Sequence, residues 1–152
     1  IMGKKDNKKD KKSKENKKVK KAKEVKKVVF DWELGSDTVS LEVSSYAMGG
    51  GIYIEMISHG EDGPEPFADV TTNIPGYRLE PNEAFINGDI SKDLLKFIRK
   101  NKLGEVYPEK ARSGYGEYSI VEFNLARLKE FDPKGVKKFM KLHGIDKSEL
   151  AL

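Results

Sequence analysis

Cysteine is absent from the 152-residue chain, and histidine occurs only twice. The absence of cysteine excludes disulfides, thiolate zinc ligands and cysteine nucleophiles. No apolar run approaches the roughly 20 residues that a membrane-spanning helix needs. The basic N-terminus also lacks the apolar segment that a signal peptide requires. We therefore expect a soluble, cytoplasmic protein without a membrane partner.

Basic residues are concentrated at the N-terminus, whereas acidic residues dominate the rest of the chain. Residues 1–27 hold fourteen basic and four acidic residues, a net charge of +10. Residues 28–152 hold fifteen basic and 21 acidic residues, a net charge of −6. The N-terminal segment has no apolar residue between Met2 and Val19 with which to offset the entropy of ordering. We predict a disordered basic tail over residues 1–27 and a single domain over residues 28–152.

The tail has the composition of a nonspecific polyanion-binding arm. It contains neither arginine nor an aromatic residue, so bidentate base contacts and base stacking are absent from it. Lysines that neutralise phosphates release counterions, so binding would depend on charge and vary little with base sequence. A solubilising leader without a binding role is the alternative. The candidate polyanion-binding residues are Lys8, Lys9, Lys11, Lys12, Lys14, Lys17, Lys18, Lys20 and Lys21.

Beyond the tail, apolar and polar residues alternate as they do in β-strands with one buried face. The pattern begins in VVFDWEL at 28–34, continues in TVSLEVSSYA at 38–47 and resumes in IYIEMIS at 52–58. The three glycines at 49–51 predict a hairpin turn, because glycine adopts positive φ without penalty. A phosphate-binding loop is disfavoured, because the lysine and Ser/Thr of a P-loop do not follow.

Further short strands are predicted on either side of proline and glycine residues that interrupt regular secondary structure. HGEDGPEPFAD at 59–69 lacks the ligand spacing of an EF-hand, so we interpret it as a solvated acidic loop. PFADVTTNI at 66–74 and EAFIN at 83–87 predict two more strands. The connections are too short for crossover helices, so the early strands should form an antiparallel sheet.

Amphipathic helices are predicted only in the second half of the chain. Ser91 is the predicted N-cap of a helix that ends near Gly104. Asp132 predicts the cap of a last helix, which has Pro133 in its first position and ends at Gly144.

The fold class that these patterns predict is α+β. An antiparallel β-sheet should carry about two helices packed on one face. The sheet includes a strand predicted over 119–125, and Asn124 is expected to cap a turn between that strand and the last helix. The side chains expected to be buried include Leu41, Val43, Ile54, Phe97, Phe123 and Phe139.

Four segments between Val39 and Leu142 resemble those of a known family. They are SLEVSSYAMGGGIYIEM, PFADVTTNIPGYRLEPNEAFIN, LGEVYPEKARSGYGEYSIVEFNL and LKEFDPKGVKKFMK. The chain is similar through them to small uncharacterised proteins carried on bacterial plasmids, phages and integrative elements, classed only as a domain of unknown function. The resemblance covers about two thirds of the chain. It implies an α+β fold and a mobile-element setting, and it transfers no catalytic residue.

No motif in the chain predicts catalysis. Hydrolytic or transfer chemistry usually needs a nucleophile with a base, paired carboxylates or a metal cluster. His59 and His143 lie far apart, and neither belongs to a motif with metal-ligand spacing. We expect no catalytic residue, no metal ligand and no cofactor, although folding can still bring carboxylates together.

Two groups of residues are secondary binding candidates. Four lysines recur on one face of the last predicted helix, where a nucleic-acid contact competes with a plain solvated face. Three tyrosines cluster near a glycine-rich turn, where base or ligand stacking competes with packing on the sheet. The residues are Lys134, Lys137, Lys138, Lys141, Tyr107, Tyr115 and Tyr118.

We interpret the chain as a noncatalytic accessory protein of a bacterial mobile genetic element that acts by binding. In this hypothesis the acidic body occupies the nucleic-acid channel of a host defence nuclease, and the arm holds RNA or a phosphate backbone. One alternative is a nonspecific nucleic-acid-binding protein that acts through its tail. Another is an unrecognised enzyme that uses carboxylates assembled by folding. The expected partners are nucleic acid or a nucleoprotein defence complex.

Overall fold

The computed structural model of the chain describes residues 25–48 and 50–151. The predicted disorder of the tail falls almost wholly on residues 1–24, which lie outside the described residues, as do its nine candidate lysines. The described residues have the predicted α+β fold, with antiparallel strands throughout.

Eight strands and three α-helices follow one another in the described chain. The strands are β1 (Val28–Trp32), β2 (Gly35–Ser45), β3 (Ile52–Gly60), β4 (Gly63–Asp69), β5 (Thr71–Thr72), β6 (Glu83–Ile86), β7 (Gly104–Ser113) and β8 (Gly116–Phe123). The helices are α1 (Ser91–Lys100), α2 (Leu125–Phe131), α3 (Pro133–His143) and a 3-10 helix at Lys147–Ala151. None of the helices in the described chain has the length and apolar composition needed to span a bilayer.

The first sheet is an antiparallel meander in the order β1-β2-β3-β4. Alternation along β2 and β3 places Val43 opposite Ile54, and both side chains are buried. The predicted hairpin at the glycines is confirmed: Tyr46 N–H donates to Gly51 O at 2.9 Å, and Gly50 has φ +68°. Positive φ is easily reached by glycine, which explains the residue type at this turn.

The second sheet has the order β5-β6-β8-β7, and the chain passes into it at Val70. Val70 N–H donates to Ile54 O at 2.8 Å in the first sheet, while Val70 O accepts from Asn87 N–H at 3.1 Å beside the second. Because both backbone groups of one residue are used in this way, the two sheets are joined through a buried valine. The early strands therefore belong to two sheets, where the alternation pattern predicted one.

The helices pack against both sheets and close the core. Phe97 of α1 meets Phe30 of β1 edge-to-face, with ring centroids 5.4 Å apart. Asp132 caps α3 by accepting from Gly135 N–H at 3.0 Å, and its other oxygen accepts from Val43 N–H at 2.9 Å. One carboxylate thus caps the N-terminus of α3 and ties this helix to β2.

The expected core residues are confirmed. The six predicted side chains are each at most 5 % exposed: Leu41, Val43, Ile54, Phe97, Phe123 and Phe139. A smaller apolar cluster covers the outer face of the second sheet, where Ile74 packs with Phe85 and Ala111.

Three local predictions were wrong in detail. The acidic loop at 59–69 instead forms the β3–β4 hairpin, whose turn uses Gly63 at φ +95°. Ser91 does not cap α1, since the N-cap residue is Ile90 and no side chain caps it. The turn after Asn124 is a third helix, α2, in which Leu125, Leu128 and Phe131 recur every third residue and are buried.

Candidate functional site

The strands and the helices carry charge of opposite sign. The eight strands hold eleven acidic and two basic residues, a net charge of −9. The three α-helices hold ten basic and two acidic residues, a net charge of +8. Between Val28 and Ile90 the only basic residue is Arg78, against twelve acidic residues. The acidic residues therefore lie mainly on the strands, and the basic residues lie mainly on the helices.

Three carboxylates form a row across the outer face of the first sheet. The antiparallel register places Glu42 opposite Glu55, and Glu55 opposite Asp69. Like charges directly opposite each other on neighbouring strands are destabilising. We call Glu42, Glu55 and Asp69 the first acidic row.

The second sheet repeats this arrangement with three glutamates. Glu83 of β6 lies opposite Glu122 of β8, which lies opposite Glu105 of β7. Their neighbours along β8, Val121 and Phe123, point into the core, so the glutamates lie on the solvent side. We call Glu83, Glu122 and Glu105 the second acidic row.

A tyrosine hydroxyl bridges two carboxylates in each row. Tyr107 Oη donates to Glu83 Oε2 at 2.5 Å and to Glu122 Oε2 at 2.6 Å. Tyr53 Oη donates to Asp69 Oδ1 at 2.7 Å and to Glu55 Oε2 at 3.1 Å. A hydroxyl has a single proton, so in each row it is shared between two acceptors. The bridges offset part of the repulsion within the rows.

These contacts hold the proton on both tyrosines. The hydrogen bond to Glu122, followed by that to Glu83, raises the pKa of Tyr107 above its ordinary value. The hydrogen bond to Asp69, followed by burial, raises the pKa of Tyr53 in the same direction. A tyrosine with a raised pKa is a hydrogen-bond donor and a poor nucleophile at neutral pH.

The two histidines of the chain each contact a serine hydroxyl. Among residues 25–48 and 50–151, no group of three or more His, Asp and Glu side chains is placed to hold a metal ion. His59 Nε2 lies 2.7 Å from Ser40 Oγ, and burial followed by Lys27 lowers the pKa of His59. Ser40 is 4 % exposed, so its hydroxyl is largely shielded from solvent. In the described chain no carboxylate hydrogen-bonds to His59 or to His143, which contacts Ser45 Oγ at 3.0 Å.

A cleft of about 870 Å³ lies between the second sheet, the end of α1 and the C-terminal 3-10 helix. Arg99 and Lys102 line it together with Glu105, Glu122 and Glu149. Glu80 lines it as well, so four carboxylates and two cationic side chains face the same space.

The four lysines predicted on the last helix do lie together. Lys134, Lys137, Lys138 and Lys141 are all exposed, at positions that share one face of α3, and we call them the lysine face. None of them forms an ion pair with a carboxylate of the described residues. The lysine face is therefore a solvent-exposed patch of four positive charges.

The three candidate tyrosines have separate surroundings in the structure. Tyr107 belongs to the second acidic row, and Tyr118 packs on the smaller apolar cluster beside Gly116. Tyr115 is fully exposed at the β7–β8 turn. Among the described residues no ring-to-ring contact joins the three.

The acidic rows are the arrangement that the sequence alone did not predict. Glu42 and Glu55 are separated by a hairpin, and Glu83 and Glu122 by a helix and a strand. The alternation pattern places each glutamate on an outer face, but it does not specify which residue lies opposite. A strand register would have been needed to find them.

Comparison with known proteins identifies a family without a known activity. The family described as Domain of unknown function (DUF4313) matches residues 40–142, and the chain belongs to it. The chain matches no curated protein and no solved structure.

Proposed function

We propose that this DUF4313 protein is a noncatalytic binding protein of a bacterial mobile genetic element. It acts in the cytoplasm by placing its acidic rows in the basic nucleic-acid channel of a host defence nuclease. The mobile-element setting is drawn from the sequence resemblance, and the mode of binding from the acidic rows.

The observation that supports this function is the alignment of like charges across both sheets. Glu55 and Glu122 each face a carboxylate on either side. Folding requires polar side chains on an outer face, but opposed carboxylates cost stability. A basic channel would neutralise them, because charge complementarity both favours the encounter and excludes wrong partners. Binding of a cationic surface therefore explains an arrangement that folding does not require.

A matched pair of fourfold variants tests the proposal. Each variant removes four carboxylates, so both change the net charge equally. The row variant is E42Q/E55Q/E83Q/E122Q. The control variant replaces exposed carboxylates outside the rows and is E61Q/D62N/E65Q/E109Q.

The measurement is inhibition of a purified defence nuclease of the host, in competition with its nucleic-acid substrate. We expect the row variant to lose at least about tenfold in inhibition, mainly through slower association, and the control to stay within about twofold. Equal losses in both variants would mean that net charge alone acts. Full inhibition by the row variant would contradict the proposal.

Nonspecific nucleic-acid binding is the second candidate function, and the lysine face favours it. Its four lysines are exposed without an ion pair in the described chain, and the tail adds a net charge of +10. Binding to duplex DNA should then weaken with salt at a log-log slope of about 0.9 per phosphate contact. Deletion of residues 2–27 and a K134Q/K137Q/K138Q/K141Q variant assign the slope to tail or helix. A sequence-dependent affinity with a shallow slope would exclude this function.

A further inference from the structure

A cavity of about 230 Å³ lies beside Glu83 of the second acidic row. The β2–β3 turn supplies Tyr46 and Met48, the segment after β5 supplies Tyr77, and β6 supplies Phe85. Glu80 and Glu83 line the same cavity. Its walls thus combine aromatic rings with two carboxylates, one of which belongs to the second acidic row.

Hydrogen bonds fix the aromatic walls in place. Tyr46 Oη lies 3.0 Å from Thr71 Oγ1, and the Tyr46 ring stacks on Tyr53 with centroids 5.0 Å apart. Tyr77 Oη donates to Arg112 O at 2.7 Å, and its ring meets Phe85 edge-to-face at 5.2 Å. Walls held in this way need little reordering when a ligand enters, which lowers the cost of binding.

The turn and the carboxylates are held as well. Asn73 Nδ2 donates to Met48 O at 3.1 Å, which ties the segment after β5 to the β2–β3 turn. Glu83 Oε1 accepts from Glu80 N–H at 2.7 Å, while its other oxygen accepts from Tyr107. Met48 is 80 % exposed and Tyr77 46 %, so the cavity is lined by large side chains that water still reaches.

We propose that this cavity receives a single arginine side chain of a protein partner. This inference rests on the proposed function, since the arginine would come from the basic channel that the acidic rows approach. A guanidinium group stacks on aromatic faces and forms paired hydrogen bonds with a carboxylate, and the cavity offers both. Buried arginine anchors in central pockets commonly dominate the energy of a protein interface.

The size of the cavity favours one side chain over a free small molecule. Its volume of about 230 Å³ is below the range of about 300–1,000 Å³ typical of ligand pockets. Its walls include Tyr46, whose ring stacks on the Tyr53 that bridges two carboxylates of the first acidic row, and Glu83 of the second row. A neutral apolar side chain would leave Glu80 and Glu83 without a counter-charge.

The test uses N-acetyl-arginine methylamide as the probe and the full chain labelled with ¹⁵N. N-acetyl-norleucine methylamide, which has an unbranched neutral side chain, is the matched control probe. We expect the arginine probe to shift amide resonances at residues 46–48, 72–80 and 83–85, and the neutral probe to leave them nearly unchanged. Equal shifts with both probes, or shifts spread along both acidic rows, would overturn the proposal.

Variants separate the aromatic wall from the carboxylates. Tyr77→Leu, which removes the ring, should weaken binding of the arginine probe about fivefold. Tyr77→Phe keeps the ring and should change probe binding by no more than about twofold. Glu80→Gln changes an exposed side chain without threatening the fold and should weaken the probe about threefold. Tyr115→Leu, at an exposed tyrosine outside the cavity, should have no effect. Unchanged probe binding in both Tyr77→Leu and Glu80→Gln would refute the cavity as an arginine site.

The two proposals fail separately. Specific probe binding together with full inhibition by the row variant would support the arginine site and refute the nuclease mechanism. Loss of inhibition in the row variant without specific probe binding would support the acidic rows and refute the arginine site.

Discussion

The strands and the helices of this chain share one core, yet their outer surfaces carry opposite charge. Phe30 and Phe97 meet across the boundary between them, so the two regions form a single packed unit. On the outside, the acidic rows lie on the sheets and the lysine face lies on α3. Packing requires that outer faces be polar and is indifferent to the sign of the charge. The sorting by sign is therefore not required by packing, and each surface repels the ions that the other attracts.

The largest expected effect comes from breaking the shared core. Phe97→Ala should lower the free energy of unfolding by about 3–5 kcal/mol, because the ring is buried against Phe30 and leaves a cavity. Urea unfolding followed by circular dichroism and by the fluorescence of Trp32 measures the change. Tyr115→Ala is the control, since the ring is exposed and should cost less than about 0.5 kcal/mol. A loss below about 1 kcal/mol for Phe97→Ala would mean that helices and strands are not one packed unit.

A smaller loss is expected where one carboxylate joins the two regions. Asp132→Ala should cost about 2–3 kcal/mol, because it removes the cap of α3 and leaves Val43 N–H without its acceptor. Thermal and urea unfolding measure the loss. Asp132→Asn, which keeps one acceptor oxygen, should retain part of the stability, and Asp146→Ala at an exposed site should be neutral. Equal losses for Asp132→Ala and Asp146→Ala would show that the contact with β2 contributes nothing.

Removing one charge from the end of a row should stabilise the fold. Glu42→Gln and Glu105→Gln each relieve one opposed pair without touching a tyrosine bridge, and should gain roughly 0.2–1 kcal/mol at low salt. The gain should shrink in 1 M salt, where the Debye length is only about 3 Å and the repulsion between the carboxylates is screened. Glu117→Gln should lower the stability instead, because Glu117 Oε1 lies 3.3 Å from Arg112 Nη2 and the substitution removes this ion pair. A loss of stability in the first two variants would mean that the rows do not repel internally.

The tyrosine bridges predict how stability changes at alkaline pH. Tyr53 and Tyr107 have raised pKa values in the folded chain, so the folded state retains protons that the unfolded state loses above its ordinary pKa of about 10. Their contribution is complete below pH 10 and declines as the pH rises further, since the unfolded state then binds fewer protons. The urea midpoint of the parent chain should fall between pH 9 and pH 11 more steeply than that of a Y53F/Y107F variant. Equal slopes would contradict the bridges.

The smallest effect is expected from deleting the tail. A chain that begins at Val25 should unfold within a few degrees of the full chain, because β1 and the core begin at residue 28. Differential scanning calorimetry compares the two chains, with Phe97→Ala as the destabilised reference. A midpoint lowered by more than about 5 °C would mean that the tail contributes to the stability of the domain.

Local patterns predicted much of the fold and little of the candidate site. The β2–β3 hairpin follows from alternation on both sides of three glycines, which act over short distances along the chain. The β3–β4 hairpin was missed, because the acidic segment 59–69 was interpreted as a solvated loop. Its two prolines, Pro64 and Pro66, are tolerated because they lie on an edge strand. The lysine face was predictable from helical spacing. The cavity that we propose to receive arginine was not predictable, since the β2–β3 turn, the segment after β5 and strand β6 meet only on folding.

The amino-acid sequence by itself determined the α+β class, the hairpin at the glycines, the lysine face and the separation of a basic tail from an acidic body. Each of these depends on composition or on how apolar residues recur along the chain. The local backbone geometry sets that recurrence at two residues in a strand and at three to four in a helix. Tertiary structure alone decided that the strands divide into two sheets at Val70 and that Glu55 and Glu122 lie between other carboxylates. The pairing of strands depends on register and on competition for a shared core, and neither is encoded within a single segment.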